Sequence, residues 1–437
     1  MKRLLFIAHR VPYPPYKGER VRAFHEIQVL SRHFRVSLAA LAFNEADLDG
    51  AAKMRQWCES VMVAPTTHWR SLGRGAVSLA AGRSVTEGYF ASGKLSRQVA
   101  SQGPYDVAIG YSSGVLPLLL KAPASARIMD LVDIDSAKWD SYSRKACFPK
   151  SVLFAREARH VRKLEQQAAR RCDAVVLVSE AEKQMLQVGS GDIHVISNGV
   201  DLEYFKPEAV TQPETMAGGE SSLPSLVFTG QMDYQPNVEG VCWFAREVWP
   251  GLRRRIPQLR FIIVGRQPAP AVRKLADMPG ITVTGAVDDV RPFLANAAIA
   301  IAPLQIARGV QNKVLEAMAM GKSVVASGGA IEGIDAQVGR DVLRADSAQQ
   351  WQQEILQLLT DDALRRDIGQ AARACMEKNY SWASQLAPLV KMCQEFAAQP
   401  AVAHPGKASS EPMHSGPPVF HLPCSPTAQA RRGEATR

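Results

Sequence analysis

Short, wholly apolar runs alternate along the chain with longer stretches whose apolar residues recur every third or fourth position. Runs of that length suit strands buried on both faces, and the longer period suits helices packed on them. In the first half the strand candidates are Leu4–Ala8, Val36–Leu41, Ser60–Val63, Val107–Gly110, Arg127–Val132, Ala174–Val178 and His194–Ile196. In the second half they are Ser225–Thr229, Arg260–Val264, Ile281–Thr284, Ala298–Ala302 and Ser323–Ala326. Strands alternating with helical stretches predict an α/β architecture built on parallel sheets.

Residues 207–224 interrupt this rhythm with Pro, Gly, Ser, Thr and Glu and no apolar period, which is linker composition. The alternation restarts at Ser225. Residues 1–206 and 225–380 therefore each hold enough strands for a doubly wound, Rossmann-like sheet, the two facing across a cleft. Ligands in such sheets sit at the carboxyl ends of the strands, so the chemistry is sought in the loops that follow them. Residues 399–437 are rich in Pro, Ser and Ala and poor in large apolar side chains, which predicts a disordered tail.

Charge narrows the partners. Of 437 residues, 52 are Lys or Arg and 42 are Asp or Glu, a net charge of +10. The excess points to phosphates or an anionic membrane surface. It is concentrated: Arg144–Arg171 carries +7, Met1–Val36 carries +6, and Gly251–Lys274 has seven basic residues and no acid. Nucleic acid fits less well, because the basic Ser151–Arg171 stretch offers just Phe154 for stacking on bases. Phe154, Ala158, Val161, Leu164 and Ala168 of that stretch share one helical stripe. It reads either as a face packed on the sheet or as a surface for anionic lipid. No apolar run approaches the roughly 20 residues of a membrane span. Leu4–Ala8 is shorter than the apolar part of a secretory signal and reads better as a buried strand. Seven scattered cysteines without a CxxC pair fit reduced cytoplasmic thiols and no zinc site.

Several loops then carry candidate chemistry. HRVPYPPYKGERVRAF, after the first strand, puts Gly18 near a helix start, where backbone N–H groups favour an anion. A plain turn glycine is the equal alternative. After Arg127–Val132, the acids Asp130, Asp133 and Asp135 crowd one strand terminus. Like charges held close raise a carboxylate pKa, which suits a general base. Asp133 and Asp135 share a face if the strand runs on. The plainer alternative has Asp135 or Ser136 capping the next helix. Ser179 and Glu182 have capping-box spacing. Asn198-Gly199 makes a tight turn after a strand and brings Asn198 to the cleft.

The richest segment is IAPLQIARGVQNKVLEAMAMGKSVVAS, residues 301–327. Its loop carries Arg308, Gly309, Gln311, Asn312 and Lys313. Gly309 and the helix start form an anion cradle, with Lys313 supplying charge. Glu316, one turn into the helix, is placed for ribose hydroxyls, and Gly321 ends the helix.

NGVD, the IVG strand with its loop, VTGAVDDVRPFLANA and KVLEAMAMGKSVV occur in that order and resemble the GT-B glycosyltransferases of family 4. VPYPPYKGERVRAFHEI, MDLVDIDSAKW and PLQIARGVQNKVLEAMAMG further resemble the sugar transferases of PEP-CTERM/exosortase exopolysaccharide loci. The resemblance implies transfer from a nucleotide sugar with retention at the anomeric carbon, without metal or other cofactor. It puts the donor on the second domain and the acceptor, a growing lipid-linked polysaccharide, on the first. It also implies a cytoplasmic enzyme at the inner membrane surface. Gly230 and Gly265 fall in its donor loops, and Glu316 matches the second Glu of a Glu-x7-Glu pattern that holds the ribose. Residues 381–398 would form a helix packing back toward the first domain.

This chain departs from that pattern in three places. Arg308 stands where the first Glu belongs. Gln231 stands where relatives place an Arg on the donor diphosphate, and TGQMDYQPNVEG has no Lys. Arg308 and Lys313, with Arg266 after Arg260–Val264, are expected to take over that work. The His that relatives carry near the reacting carbon gives way to the aspartate cluster, so Asp133 or Asp135 is expected against the acceptor hydroxyl or the donor sugar. His9 and His25 are other polar candidates. A GT-B nucleotide-sugar epimerase would show a His/Glu-rich site, which the sequence lacks. A non-catalytic basic scaffold protein would show aromatics beside its basic patches.

Overall fold

Strand β1 (Arg3–Ala8) begins a parallel sheet with β2 (Arg35–Ala42), β3 (Ser60–Pro65), β4 (Tyr105–Tyr111), β5 (Ala124–Val132), β6 (Ala174–Leu177) and β7 (Ile193–Val195). Their order is β3-β2-β1-β4-β5-β6-β7. A second parallel sheet holds β8 (Ser225–Thr229), β9 (Arg260–Val264), β10 (Ile281–Gly285), β11 (Ile299–Ala302), β12 (Ser323–Ala326) and β13 (Leu343–Arg344). Its order is β10-β9-β8-β11-β12-β13. This computed structural model describes residues 1–15, 18–186, 188, 191–207, 223–305 and 309–399. Most of the 207–224 linker and nearly all of the 399–437 tail lie outside them. The two-residue β13 was not foreseen, because so short a run carries no period to detect.

Both sheets are doubly wound. Strand order reverses between β1 and β4 and between β8 and β11, where open α/β sheets leave a crevice for ligands. Alternate residues of β1 feed two cores: Leu4, Phe6 and Ala8 one, Leu5 and Ile7 the other. The Trp382–Ala398 helix joins the first of these through Trp382, Leu386, Leu389 and Cys393. The chain thus returns from the second sheet to the first. The return is clasped to the outward crossing: Val200 N–H donates to Tyr380 O at 2.7 Å, and a Cβ on Gly199 would lie 2.7 Å from Trp382 Cα.

In the Lys150–Arg171 helix, Ala158, Val161, Leu164 and Ala168 are buried. Phe154 meets the rings of Trp139 and Tyr142 at 5.5 and 6.3 Å. The stripe therefore packs inward and leaves its Lys and Arg residues to the outer face.

Candidate active site

The second sheet builds a cradle from close backbone approaches. β8 and β9 end in Gly230 and Gly265, and a Cβ on Gly265 would lie 1.6 Å from Gly230 O. Glycine is therefore obligatory at position 265, and the two loops stay in register. Asn237 is buried and locks the first loop, donating from Nδ2 to Gln231 O at 2.8 Å. Its Oδ1 accepts from Lys313 Nζ at 3.1 Å. Lys313 also reaches Gln311 Oε1 at 3.3 Å and sits over the Phe228 ring.

Lys313 belongs to the Asn312–Ala319 helix, which ends in a Schellman turn. There Gly321 adopts φ +64° and the N–H groups of Gly321 and Lys322 return to Met318 O and Ala317 O. Burial holds the Lys313 ammonium down to about 8 against the pull of Glu316. Burial pushes Glu316 up to about 7 against the pull of Lys313. Both side chains keep part of their surface open to the cleft.

The first sheet presents the opposing wall. Asp130 at the end of β5 is fully buried and is not a cleft residue. Its Oδ2 takes Arg22 Nε at 2.9 Å and its Oδ1 accepts the Val132 N–H at 2.8 Å. Val132 sits at φ +66°, a strained conformation for a β-branched residue. The strand therefore stops there, and Asp133 and Asp135 do not share a strand face.

Asp133 projects into the cleft, open to water yet ringed by protein. That enclosure, with Glu182 and Asp135 close by, pushes its carboxyl up to about 7. A Cβ on Gly309, across the cleft, would lie 2.4 Å from Asp133 Oδ1. Gly309 itself has φ +60°. The cradle loop and the strained β5 terminus thus meet at Asp133 and Gly309.

Asp135 opens the Asp135–Lys145 helix and accepts from Ser113 Oγ at 2.9 Å. Neither Asp135 nor Ser136 caps that helix. Ile134 holds the cap position, and Ser136 donates from N and Oγ to the buried Glu165 at 2.9 and 2.6 Å. Ser179 does cap its helix, but Glu182 turns away and accepts the Ile134 N–H at 2.6 Å, so half the expected box forms. His25 is packing: it stacks on Trp382 at 4.6 Å, and burial lowers its pKa to about 4. His9 lies against Phe90 and Tyr111 at 5.2 and 5.9 Å.

Sequence reasoning missed the buried Asn237, and it took Arg22 as no more than added charge beside Gly18. Arg22 is buried beside Asp130 and Glu26, and donates from Nη1 to Ile196 O at 2.9 Å and to Asn198 Oδ1 at 3.1 Å. Asn198 Nδ2 in turn donates to Asn312 Oδ1 at 3.1 Å, at the start of the Lys313 helix. One guanidinium therefore fixes the β5 terminus and, through Asn198, the cradle helix. Its one sequence signal, the Arg22/Glu26 spacing, is also that of an exposed helical ion pair. Arg22→Ala strands buried carboxylates and is expected to cost about 3–5 kcal/mol, read as a lowered unfolding midpoint in urea.

Residues 223–361 match the family described as glycosyl transferases group 1, and residues 148–204 match Glycosyltransferase Family 4. A curated relative, an uncharacterized glycosyltransferase of Methanocaldococcus jannaschii, is 26% identical over 226 residues, 49% of this chain and 56% of that protein. The match thus spans little more than half of the relative's length. Sucrose-phosphate synthase from Thermosynechococcus elongatus superposes with TM-score 0.66 at 15% identity, over 91% of this chain and 100% of that one. Anabaena HepE in complex with UDP-glucose superposes with TM-score 0.61 at 16% identity, over 90% and 100%.

The fold is GT-B.

Fold and family matches together support a GT-B glycosyltransferase. Within this GT-B frame the structure brings together Gly230, Gly265, Gly309, Asn312, Lys313 and Glu316, with Asn198 and Asp133 on the facing wall. Arg266 is exposed on the loop after β9, and its carbonyl accepts the Met232 N–H at 2.9 Å. Gly18 is the first residue of the Gly18–Leu30 helix. Arg308 lies outside the described residues. A separate concavity of about 420 Å³, lined by Asn296, Lys322 and Arg365, flanks Pro224 and Ser323 at the amino ends of β8 and β12, away from this chemistry.

Proposed function

We propose that this GT-B chain is a retaining glycosyltransferase that moves a sugar from a nucleotide-sugar donor to a growing, lipid-linked exopolysaccharide acceptor. The observation that carries the reading is the Lys313–Asn237 pair beside Gly230, with Glu316 one turn on and Asp133 facing Gly309. A cation held below its ordinary pKa gains from a diphosphate, and a carboxyl beside it can take ribose hydroxyls. The HepE structures, which hold UDP or UDP-glucose on the same fold, support a nucleotide-sugar partner. The PEP-CTERM subgroup and the lipid-linked acceptor rest on the sequence resemblance, and no metal ion is part of the proposal.

In this reading the acceptor oxygen bonds the anomeric carbon as that carbon's bond to the donor phosphate breaks, the nucleoside diphosphate leaves, and the hydroxyl proton passes to a cleft carboxylate or to the leaving phosphate. Asp133 or Asp135 contacts the acceptor hydroxyl or the sugar. Closure of the two walls would exclude water from the donor.

Thermal unfolding across UDP-, GDP- and dTDP-sugars tests the donor, since a ligand of the native state raises the midpoint. A selective rise supports the reading, and no rise with any of them overturns it. Calorimetry adds a signature of the site. A diphosphate on Lys313 raises a pKa that starts at about 8, so UDP binding just above that pH takes up protons. The binding heat then changes with the ionisation enthalpy of the buffer. Glu316, at about 7, is already ionised there and contributes little.

A further inference from the structure

The His68–Ala80 helix faces the wrong way for a helix in water. Its buried positions are Ser71, Gly75 and Ser78. Its outward residues include Trp69, 83% exposed, Leu72, 49%, and Val77, 70%. Gly73, Ala76 and Ala80 fill the positions between, so an unbroken apolar stripe looks outward. The inversion is built in. Ser78 Oγ donates to Ser84 O at 2.7 Å, and Arg74 Nη2 donates to Tyr89 O at 3.2 Å. A Cβ on Gly88 of the Val85–Phe90 helix would lie 2.6 Å from Arg74 O, so the two helices meet through glycine. The helix cannot roll its stripe inward without losing these contacts.

A second apolar group adjoins it. Phe148 is 83% exposed, Val152 59% and Leu153 41%, at the start of the Lys150–Arg171 helix. Arg156, one turn further on, donates to Leu79 O at 3.0 Å and to Arg83 O at 3.3 Å, tying this group to the end of the inverted helix. The rim is basic. Residues 66–90 contain Arg70, Arg74 and Arg83 against one acid, Glu87, which pairs with Arg83 at 3.3 Å. Residues 140–156 contain Arg144, Lys145, Lys150 and Arg156 against Asp140, which pairs with Arg162, while Lys145 reaches Glu239 at 2.7 Å. An apolar stripe with a cationic rim complements an anionic lipid surface, where the stripe sits among the headgroups and the cations meet phosphates.

Aromatic rings lead from this face toward the cleft. His68 shares a hydrogen bond of 2.6 Å with Tyr89 OH, Tyr89 meets Phe90 at 5.0 Å, and Phe90 meets His9 at the end of β1. We propose that the His68–Ala80 helix, with Phe148, Val152 and Leu153, seats the protein on an anionic bilayer and so presents its acceptor half to a lipid-linked substrate. This deepens the function proposed above and rests on it for the acceptor. The docking surface itself rests on the inverted helix.

Flotation of the full chain with vesicles tests the proposal. The vesicles are phosphatidylcholine alone, or equal parts phosphatidylcholine and phosphatidylglycerol. The protein is expected to float with the anionic vesicles, less so at high salt. The double variant Trp69→Glu, Val77→Glu is expected to lose about tenfold or more in partitioning, with UDP binding unchanged. Leu153→Glu, on the other helix, serves where the pair disturbs folding. A wild-type protein that stays at the bottom overturns the proposal, as does a variant that floats equally well. So does a wild-type dimer that the variant splits, since the stripe would then be an interface between copies. UDP binding on the same samples separates the two readings: lost flotation with UDP binding intact removes the surface alone, and flotation without UDP binding removes the donor reading alone.

Discussion

Asp133→Asn is expected to cut turnover by about a hundredfold while UDP binding stays as it was. Asp133 lies on the wall built by the first sheet, and the proposed nucleotide cradle is built from the other sheet. Enclosure beside Glu182 and Asp135 brings its carboxyl up to about 7, so it exchanges a proton near neutral pH. If it serves as the base, wild-type turnover rises as pH climbs through 7 and the Asn variant loses that limb. The stability effect has the opposite sign. A carboxyl raised from 3.8 to about 7 in the folded state penalises folding progressively above the lower value, and fully above the higher. The Asn variant should therefore unfold at a higher temperature than wild type at pH 8 and at a similar one at pH 4. Such an exchange of stability for activity is common where a site is pre-strained. Normal turnover in both Asp133→Asn and Asp135→Asn would remove the cluster from the mechanism.

Lys313→Ala carries the other large effect. A charged hydrogen bond to a diphosphate is worth about 1.5–3 kcal/mol, so UDP affinity should fall by roughly tenfold to a hundredfold, read by calorimetry. The proton uptake just above pH 8 should vanish with it. Stability again moves the other way. The ammonium is lowered from 10.5 to about 8 by burial, so folding carries the cost of the charge at pH below 8 and sheds it as pH rises toward 10.5. The unliganded Ala variant should thus gain thermal stability at pH 7. Unchanged UDP affinity in both Lys313→Ala and Arg308→Ala would mean that the positive charge absent at Gln231 is supplied by neither residue.

Much of the cradle is legible in the sequence. Gly309 is a local signal at a helix start, and Gly230 and Gly265 came from the family resemblance, but their close approaches, to Asp133 and to each other, join distant segments. Glu316 and Lys313 follow from helical spacing after a strand. Asn237 was not legible, because a buried asparagine reads like any helix-start polar residue until Lys313 arrives from 76 residues away. The aspartate cluster was half legible. The sequence showed three acids at one strand end, but not that Arg22 would take Asp130 out of the cleft across 108 residues. The basic Lys150–Arg171 helix was misleading in one respect. Its apolar stripe is ordinary packing, and the lipid-facing candidate is the His68–Ala80 helix, whose apolar period looks the same whichever way it points.

Periodicity and composition by themselves determined two parallel sheets, because strand alternation and the breakers between strands act over a few residues. Tertiary structure decided which faces turn inward and which charges meet. It buried Arg22 beneath the first wall, turned Val132 to a positive φ that ends β5 short of Asp133, and packed small polar residues beneath an outward apolar helix. Those outcomes depend on partners far apart in the chain, and pairwise burial between distant segments leaves no local period to read.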